Sequence, residues 1–406
     1  MTAFGVNLSL DDSVPILVVQ VGGSVFGHGP LAIARTCGRM GIPVYGVPVE
    51  TRVPGARSRY WTGLFSPPEE NGSPDAWVDL LSDVGRRLGR AVLIPIDDAA
   101  TVLVADNAET LREHFYFPDQ PAELMRTLSD KGEMYRLCRR LDIPVPETEF
   151  PESTREVERF AEGAQFPVVA KRIAAWLPAR APSPPSVVIA RTQEELLAAH
   201  DRMECPDGPN VLLQEYIPGA SDSIWMFNGY FDQHSECLVG FTGRKLRQRG
   251  PRTGVTTLGL CTSNPTVDGD TRRLMKAVGY RGILDIGYRY DHRDARYKLL
   301  DVNPRIGQSF RLFVGTNGLD VLSALYRDLT GQPVPEATGP DHRKWIVEPF
   351  DLVSAMQLWR EGELGPRDWL RSLRGIDETA WFAKDDPRPF GAMLARSVLE
   401  LVRRHG

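Results

Sequence analysis

GILDIGYRYDHRDARYKLLDVNPRIG, residues 282–307, reads as two strands joined by the polar turn DHRD. Asp285 falls on the first strand, and Asp301 and Asn303 on the second. Side chains alternate along a strand, so Asp301 and Asn303, two apart, share a face, and closing the hairpin brings Asp285 toward them. Two carboxylates and an amide oxygen are hard ligands in low number. That set suits Mg²⁺, or Mn²⁺ as a substitute, held jointly with phosphate oxygens. The same spacing also fits a surface hairpin whose acids are solvated. Arg305 continues the alternation on the side of Asp301 and Asn303, where a guanidinium can neutralise phosphate or a developing oxyanion; a surface ion pair is the other reading.

N-terminal to the hairpin the texture changes twice. The first hundred residues alternate short apolar runs (PILVVQVGG, IPVYGVPVE, RAVLIPID) with helix-like stretches, the pattern of parallel strands buried on both faces and joined by crossover helices. A small doubly wound α/β unit is expected over residues 1–125. Its segment VGGSVFGHGP sets Gly22, Gly23, Gly27 and Gly29 between a strand and a helix, but the spacing departs from G-x-G-x-x-G, so dinucleotide binding is weakly supported. The chain then turns α+β. DKGEMYRLCRRLDIPVPE reads as a helix with Asp130 as N-cap, Glu133 three residues on, and Met134, Leu137, Cys138 and Leu141 on one face. FPVVAKRI and VLLQEYIPG are strands of a small lobe over 126–220, and a strand-rich antiparallel lobe spans 221–330. Residues 331–406 are expected to form a covering extension away from the chemistry.

Two lysines stand out in the small lobe. Lys171 ends an apolar strand, where an ammonium needs an anion. Lys131 sits in the first turn of a helix, where the dipole favours negative charge; a bound phosphate would explain the misfit, though either lysine alone could simply be exposed. The basic run GRKLRQRGPRTG, 243–254, carries Arg244, Lys245, Arg247, Arg249 and Arg252. It lacks interleaved aromatics in a chain of net charge −5, so a loop closing over polyphosphate or an anionic substrate fits better than nucleic-acid binding, with a solvated loop as the bland alternative. Five cysteines lie far apart without a C-x-x-C pair, and no apolar run approaches the ~20 residues of a membrane span. A cytoplasmic protein without a membrane partner is expected, with a homodimer as the default assembly.

Taken in order, DK, VVAK, QEYIPG, LDIGYRYD and LLDVNPRIG resemble the ATP-grasp superfamily over residues 130–330, preceded by the α/β unit common there. The resemblance implies that Lys131 and Lys171 contact ATP phosphates, that Gln214, Glu215, Tyr216 and Ile217 line the adenine pocket, and that Asp222 meets the ribose. It further implies that Asp285, Asp301 and Asn303 hold magnesium and that Arg305 faces an acyl phosphate, with Arg252 of the basic run assisting. Asp301 stands where many relatives carry glutamate. LDVNPRIG, the basic run, WIVEPFD and KDDPRP look most like the carboxylate–amine ligases of D-aspartate-ligase type, which join a small carboxylate to an amine such as an amino acid or peptide. A carboxylase, a phosphotransferase and a non-catalytic nucleotide-binding module remain alternatives on the same fold. No Ser/His/Asp or Cys/His arrangement asks for a nucleophilic side chain.

Overall fold

The structure is a computed structural model. It describes residues 10–405 apart from 23–26, 49, 51–52, 70–71, 175–180, 182–183, 207, 251–253 and 340–341, and no side chain beyond residue 397. Arg252, Gly23 and much of the proline-rich loop lie outside the described residues. Among those described, the strands form three sheets.

The first sheet is parallel, in the order β3-β2-β1-β4-β5, built from β1 (Ile16–Val19), β2 (Val44–Val47), β3 (Gly63–Leu64), β4 (Ala91–Pro95) and β5 (Phe115–Tyr116). Strand β1 is continuously apolar because Ile16 and Val18 enter one buried cluster while Leu17 and Val19 enter another. Helices α1 (His28–Arg39), α2 (Pro74–Leu88), α3 (Asp98–Asp106) and α4 (Ala108–Leu111) flank it. The strand order reverses between β1 and β4, so the loops following both strands meet. Asp97 ties them together: it caps α3 through Ala100 N (2.8 Å) and accepts from Val21 N (3.1 Å) and Gly22 N (2.9 Å).

Helices α5 (Ala122–Ser129) and α6 (Lys131–Arg140) lead into the small lobe. Asp130 caps α6 through Glu133 N at 2.9 Å, and Met134 and Cys138 are buried, as the periodicity predicts. The lobe's sheet, order β6-β9-β7-β8, comprises β6 (Thr148–Glu149), β7 (Val168–Arg172), β8 (Val187–Ala190) and β9 (Val211–Glu215). Val168 and Ala170 pack in the apolar cluster formed with α7 (Thr154–Gly163) and α8 (Gln193–Met203), which turns Val169 and Lys171 to the opposite face.

The largest sheet runs β14-β13-β10-β11-β12-β15-β16 and uses β10 (Ile224–Phe231), β11 (Cys237–Gln248), β12 (Thr256–Cys261), β13 (Gly282–Asp291), β14 (Arg296–Asn303), β15 (Lys344–Ile346) and β16 (Glu378–Thr379). All its pairings are antiparallel except β15–β16. Phe227, Phe231, Leu284, Ile286 and Tyr288 face a core shared with α9 (Pro265–Val278), whereas Met226 and Tyr230 face the core shared with α10 (Val321–Leu329).

Two expectations change here. The chain after residue 331 carries α11 (Glu348–Arg360), α12 (Pro366–Ser372) and α13 (Arg388–His405), and its β15 and β16 complete the large sheet, so it is not a separate extension. The first half of the basic run, residues 243–248, is strand β11, not loop. Its Arg247 is buried and binds Asp351 of α11 through both carboxylate oxygens (Nε–Oδ1 2.7 Å, Nη2–Oδ2 2.8 Å), a partner about a hundred residues away that only the fold supplies.

The segment after β16 is fastened to the first unit by Asp386, which accepts from Arg35 Nε (3.0 Å), Ser58 Oγ (2.6 Å) and Arg59 N (3.1 Å). Arg35 in turn donates to the carbonyls of Trp381 and Asp386. Both charged side chains are almost wholly buried, 5% and 1% exposed. Removing one charge strands the other in the interior, so Asp386→Ala should cost about 3–5 kcal/mol. Urea denaturation followed by far-UV circular dichroism measures that loss; a change below about 1 kcal/mol is incompatible with an obligatory pair.

Candidate active site

Between the small lobe and the large sheet lies a cavity of about 790 Å³. Its apolar walls are Pro146, Val169, Val187, Ile189, Ile217, Ile224 and Leu300, and its polar ones include Lys131, Lys171, Gln214 and Asp301. A second cavity, about 1110 Å³, shares Val187, Ile224, Lys245, Gly254, Leu300 and Asp301 with it and extends past Asp285, Asn303 and Arg305 to His28, Gln308 and Trp345. The two form one cleft.

The hairpin register sets its centre. Asp285 pairs with Asn303 and Gly287 with Asp301, which puts Asp285, Asp301 and Asn303 on the cleft face. A bulge follows, because Tyr288 pairs with Leu299. Leu300 is the extra residue, so it lines the cleft while Leu299 and Val302 enter the core. Gly307 closes over Asp285: a Cβ there would lie 2.5 Å from the carboxylate carbon. Asn303 Nδ2 is 3.5 Å from Asp285 Oδ2. Burial pushes the Asp285 carboxyl up to about 6, against the pull of Arg305 and Lys245. A half-buried acid so placed gains from a cation.

Three ammonium groups converge on the acids. Lys131 Nζ is 3.4 Å from Asp301 Oδ1; burial opposes its charge, but Asp301 and Asp98 outweigh it and hold its pKa above the ordinary lysine value. Lys171, 8% exposed, donates to Tyr135 Oη (3.2 Å) and to the Leu300 carbonyl (3.4 Å), and burial lowers its pKa to about 8. Lys245, which the sequence offered only as part of a basic run, stands on β11 between the two cavities and donates to Gly254 O at 2.8 Å. Its pKa is also lowered by burial, with Asp285 and Asp301 pulling it back.

Arg305 is anchored from the first unit. Its Nε donates to Asp98 Oδ1 at 2.6 Å, and its Nη2 to Asn303 Oδ1 at 3.2 Å. Despite burial, Asp98 keeps its pKa above the usual arginine value. Asp98 was not singled out from the sequence; the IPIDD segment after β4 is the signal that could have raised it.

At the other end, Gln214 lines the cavity with its amide held by Thr148 Oγ1 (2.9 Å), and Tyr216 lies under the Arg289 guanidinium, 5.5 Å from the ring centroid. Glu215 lines the cavity too, but its carboxylate is bound by Lys298 (3.0 Å) and Arg293 (2.5 Å) of the hairpin and by Glu147 N (3.0 Å). The structure therefore brings together Lys131, Lys171, the Gln214–Ile217 segment, Asp285, Asp301, Asn303 and Arg305. Asp222 is not among them: it is exposed and lines neither cavity, because the short 3₁₀ turn Ser221–Ser223 turns it to solvent.

No protein-family model matches the sequence. D-aspartate ligase of Enterococcus faecium is 24% identical over 256 residues, 61% of each chain, so this chain spans about three-fifths of that relative's length. Two solved structures superpose well: the biotin carboxylase domain of Hydrogenobacter thermophilus 2-oxoglutarate carboxylase in complex with MgADP and bicarbonate, and L-amino acid ligase from Bacillus licheniformis. For the first, the TM-score is 0.58 at 15% identity over 80% of this chain and 71% of that one. For the second it is 0.58 at 16% identity over 78% and 74%. The chain has the ATP-grasp fold. The two cavities together form one cleft between the small antiparallel lobe and the larger sheet of that fold.

Lys171 gives the cleft a pH signature. A phosphate favours the charged lysine and raises its pKa on binding, so affinity is level below the free value of about 8 and falls above it as binding must take up a proton. Titration with a non-hydrolysable ATP analogue should show about a tenfold loss per pH unit above 8. Lys171→Arg, always charged, should remove most of that slope. A slope unchanged in the variant would take Lys171 out of the binding site.

Proposed function

We propose that the chain is an ATP-dependent carboxylate–amine ligase, forming an amide or peptide bond through an acyl phosphate. The observation that carries this reading is the continuity of the cleft: an apolar, nucleotide-sized pocket opens past two acids and three lysines into a chamber holding Arg305. That order suits a phosphoryl group passing from a nucleotide to a second molecule. The similarity to D-aspartate ligase and L-amino acid ligase supports it.

In this reading Val169, Val187, Ile217 and Leu300 sandwich the adenine, and the Gln214–Ile217 segment borders it. Lys131, Lys171 and Lys245 bind phosphate oxygens, and Asp98 holds Arg305 in place. Asp285, Asp301 and Asn303 fit Mg²⁺, with Mn²⁺ as a substitute: few hard donors, one of them a half-buried acid in need of a cation, beside a phosphate pocket. The ion would balance phosphate charge there. Among the described residues no three His, Cys, Asp or Glu side chains stand together, so a site built wholly from protein ligands is not the arrangement found.

The substrate carboxylate attacks the γ-phosphorus as the bond to ADP breaks, and the lysines stabilise the charge on the transferring group. Arg305, its Nε fixed by Asp98, presents its remaining N–H groups to the acyl phosphate. An amine then attacks the acyl carbon; the C–N bond forms, the C–O bond to phosphate breaks with its electron pair, and the proton lost by nitrogen leaves on the phosphate. No helix among the described residues is long and apolar enough to cross a membrane. We assign the reaction to the cytoplasm, where ATP is available.

ADP release measured over pools of small carboxylates and amines should require one of each, with an amide product by mass spectrometry. Bicarbonate-dependent release without an amine would instead indicate a carboxylase. Asp301→Ala should lower turnover by at least about a hundredfold. Asp98→Asn tests the positioning of Arg305: kcat should fall about tenfold or more while the KM for ATP holds. Equal loss of ATP affinity would make Asp98 merely structural.

A further inference from the structure

Beyond the metal-binding acids, the cleft changes character. Its cations stand beside the acids: Lys245 borders both cavities, and Arg305 is bound to Asn303. Past them the lining among the described residues is uncharged, formed by His28, Met226, Val255, Gln308, Ser309 and Trp345. His28 opens helix α1 and is 3% exposed, yet its ring nitrogens have no hydrogen-bond partner among the described residues. Its orientation is fixed by aromatic rings instead: Trp345 at 5.6 Å between centroids, Trp381 at 6.3 Å and Phe350 at 6.4 Å. The first turn of α1 packs against the same chamber, since a Cβ on Gly29 would lie 3.3 Å from Gln308 Cγ.

A buried imidazole without a partner is costly unless a ligand supplies one. We propose that this end of the cleft is the subsite for the attacking amine, that His28 accepts a hydrogen bond from its N–H, and that the amine is carried on a flat apolar or aromatic group seated against Trp345. The inference rests on the ligase reading above and names the class of one of its substrates. The attacking amine must be neutral to have a lone pair, and burial disfavours its ammonium form. A neutral imidazole matches that need, and burial keeps His28 neutral, with a pKa of about 4. A carboxylate-bearing side chain would bring a buried charge to a wall with no cation among the described residues. An apolar group buries its surface on Met226, Val255 and Trp345 at no such cost.

The test compares amines one at a time in the ADP-release assay, with ATP and a pool of small carboxylates: 2-phenylethylamine, 3-methylbutylamine, ethanolamine, L-aspartate and L-lysine. The aromatic and branched amines should be used at least about tenfold more efficiently than the polar ones. His28→Phe keeps the ring stacking and removes both nitrogens; it should raise the KM for the favoured amine about tenfold while the KM for ATP and the melting temperature stay level. Trp345→Phe, a milder change of the wall, should narrow the preference for 2-phenylethylamine without altering the KM for ATP. Equal use of L-aspartate and 2-phenylethylamine, or an amine KM indifferent to His28→Phe, overturns the subsite while leaving the ligase reading intact. Absence of amine-dependent ADP release from every amine overturns the ligase reading, and the subsite with it.

Discussion

Asp285 faces Asn303 across the β13–β14 hairpin, and this pairing sets the geometry on which the cleft depends. A slip of one residue would turn Asp285 and Asp301 into the apolar core beneath α9 and expose Ile286 and Val302 to the cleft. The apolar side of the hairpin therefore enforces the polar side: Leu284, Ile286, Tyr288, Leu299 and Val302 are buried together, and the acids follow on the opposite face. The bulge at Leu300 lets both patterns coexist, since it shifts the alternation between Leu299 and Asp301 and leaves one apolar side chain in the cleft.

From this centre the three sheets contribute different chemistry. The small lobe supplies an apolar face and Lys171, because alternate residues of β7 are spent on the helices behind it. The large sheet supplies the acids and Lys245. The first unit reaches in through the loops that meet where its strand order reverses, and Asp97 and Asp98, adjacent in sequence, divide the work: one holds the glycine loop and the other holds Arg305. The residues after 331 are part of the same design, for Trp345 forms a wall of the chamber and the Asp386–Arg35 pair binds that segment to α1, which carries His28.

Electrostatics follow the same division. Around the acids, Lys131, Lys171 and Lys245 are all desolvated, yet their pKa values differ because their partners do: Lys131 is raised by Asp301 and Asp98, while Lys171 and Lys245 fall. Phosphate would satisfy the latter two. At the far end His28 stays neutral among aromatic rings.

Sequence by itself determined the parts that local periodicity controls. The continuous apolar run of β1, the cap of α6 at Asp130, and the hairpin with Asp301 and Asn303 on one face follow from patterns of one, two and 3.6 residues, and the ordered motifs gave the ATP-grasp resemblance. Tertiary structure alone decided the rest, because those residues act through partners far away in the chain. Arg247 left the basic run for Asp351, Glu215 gave its carboxylate to Arg293 and Lys298, and Asp98 came to Arg305 from over two hundred residues upstream. Asp222 was turned to solvent by one short 3₁₀ turn, and His28 and Trp345 met as walls of one chamber from opposite ends of the chain. An ion pair or a buried ring costs or gains according to what surrounds it, and surroundings are set only when the three sheets close on one another.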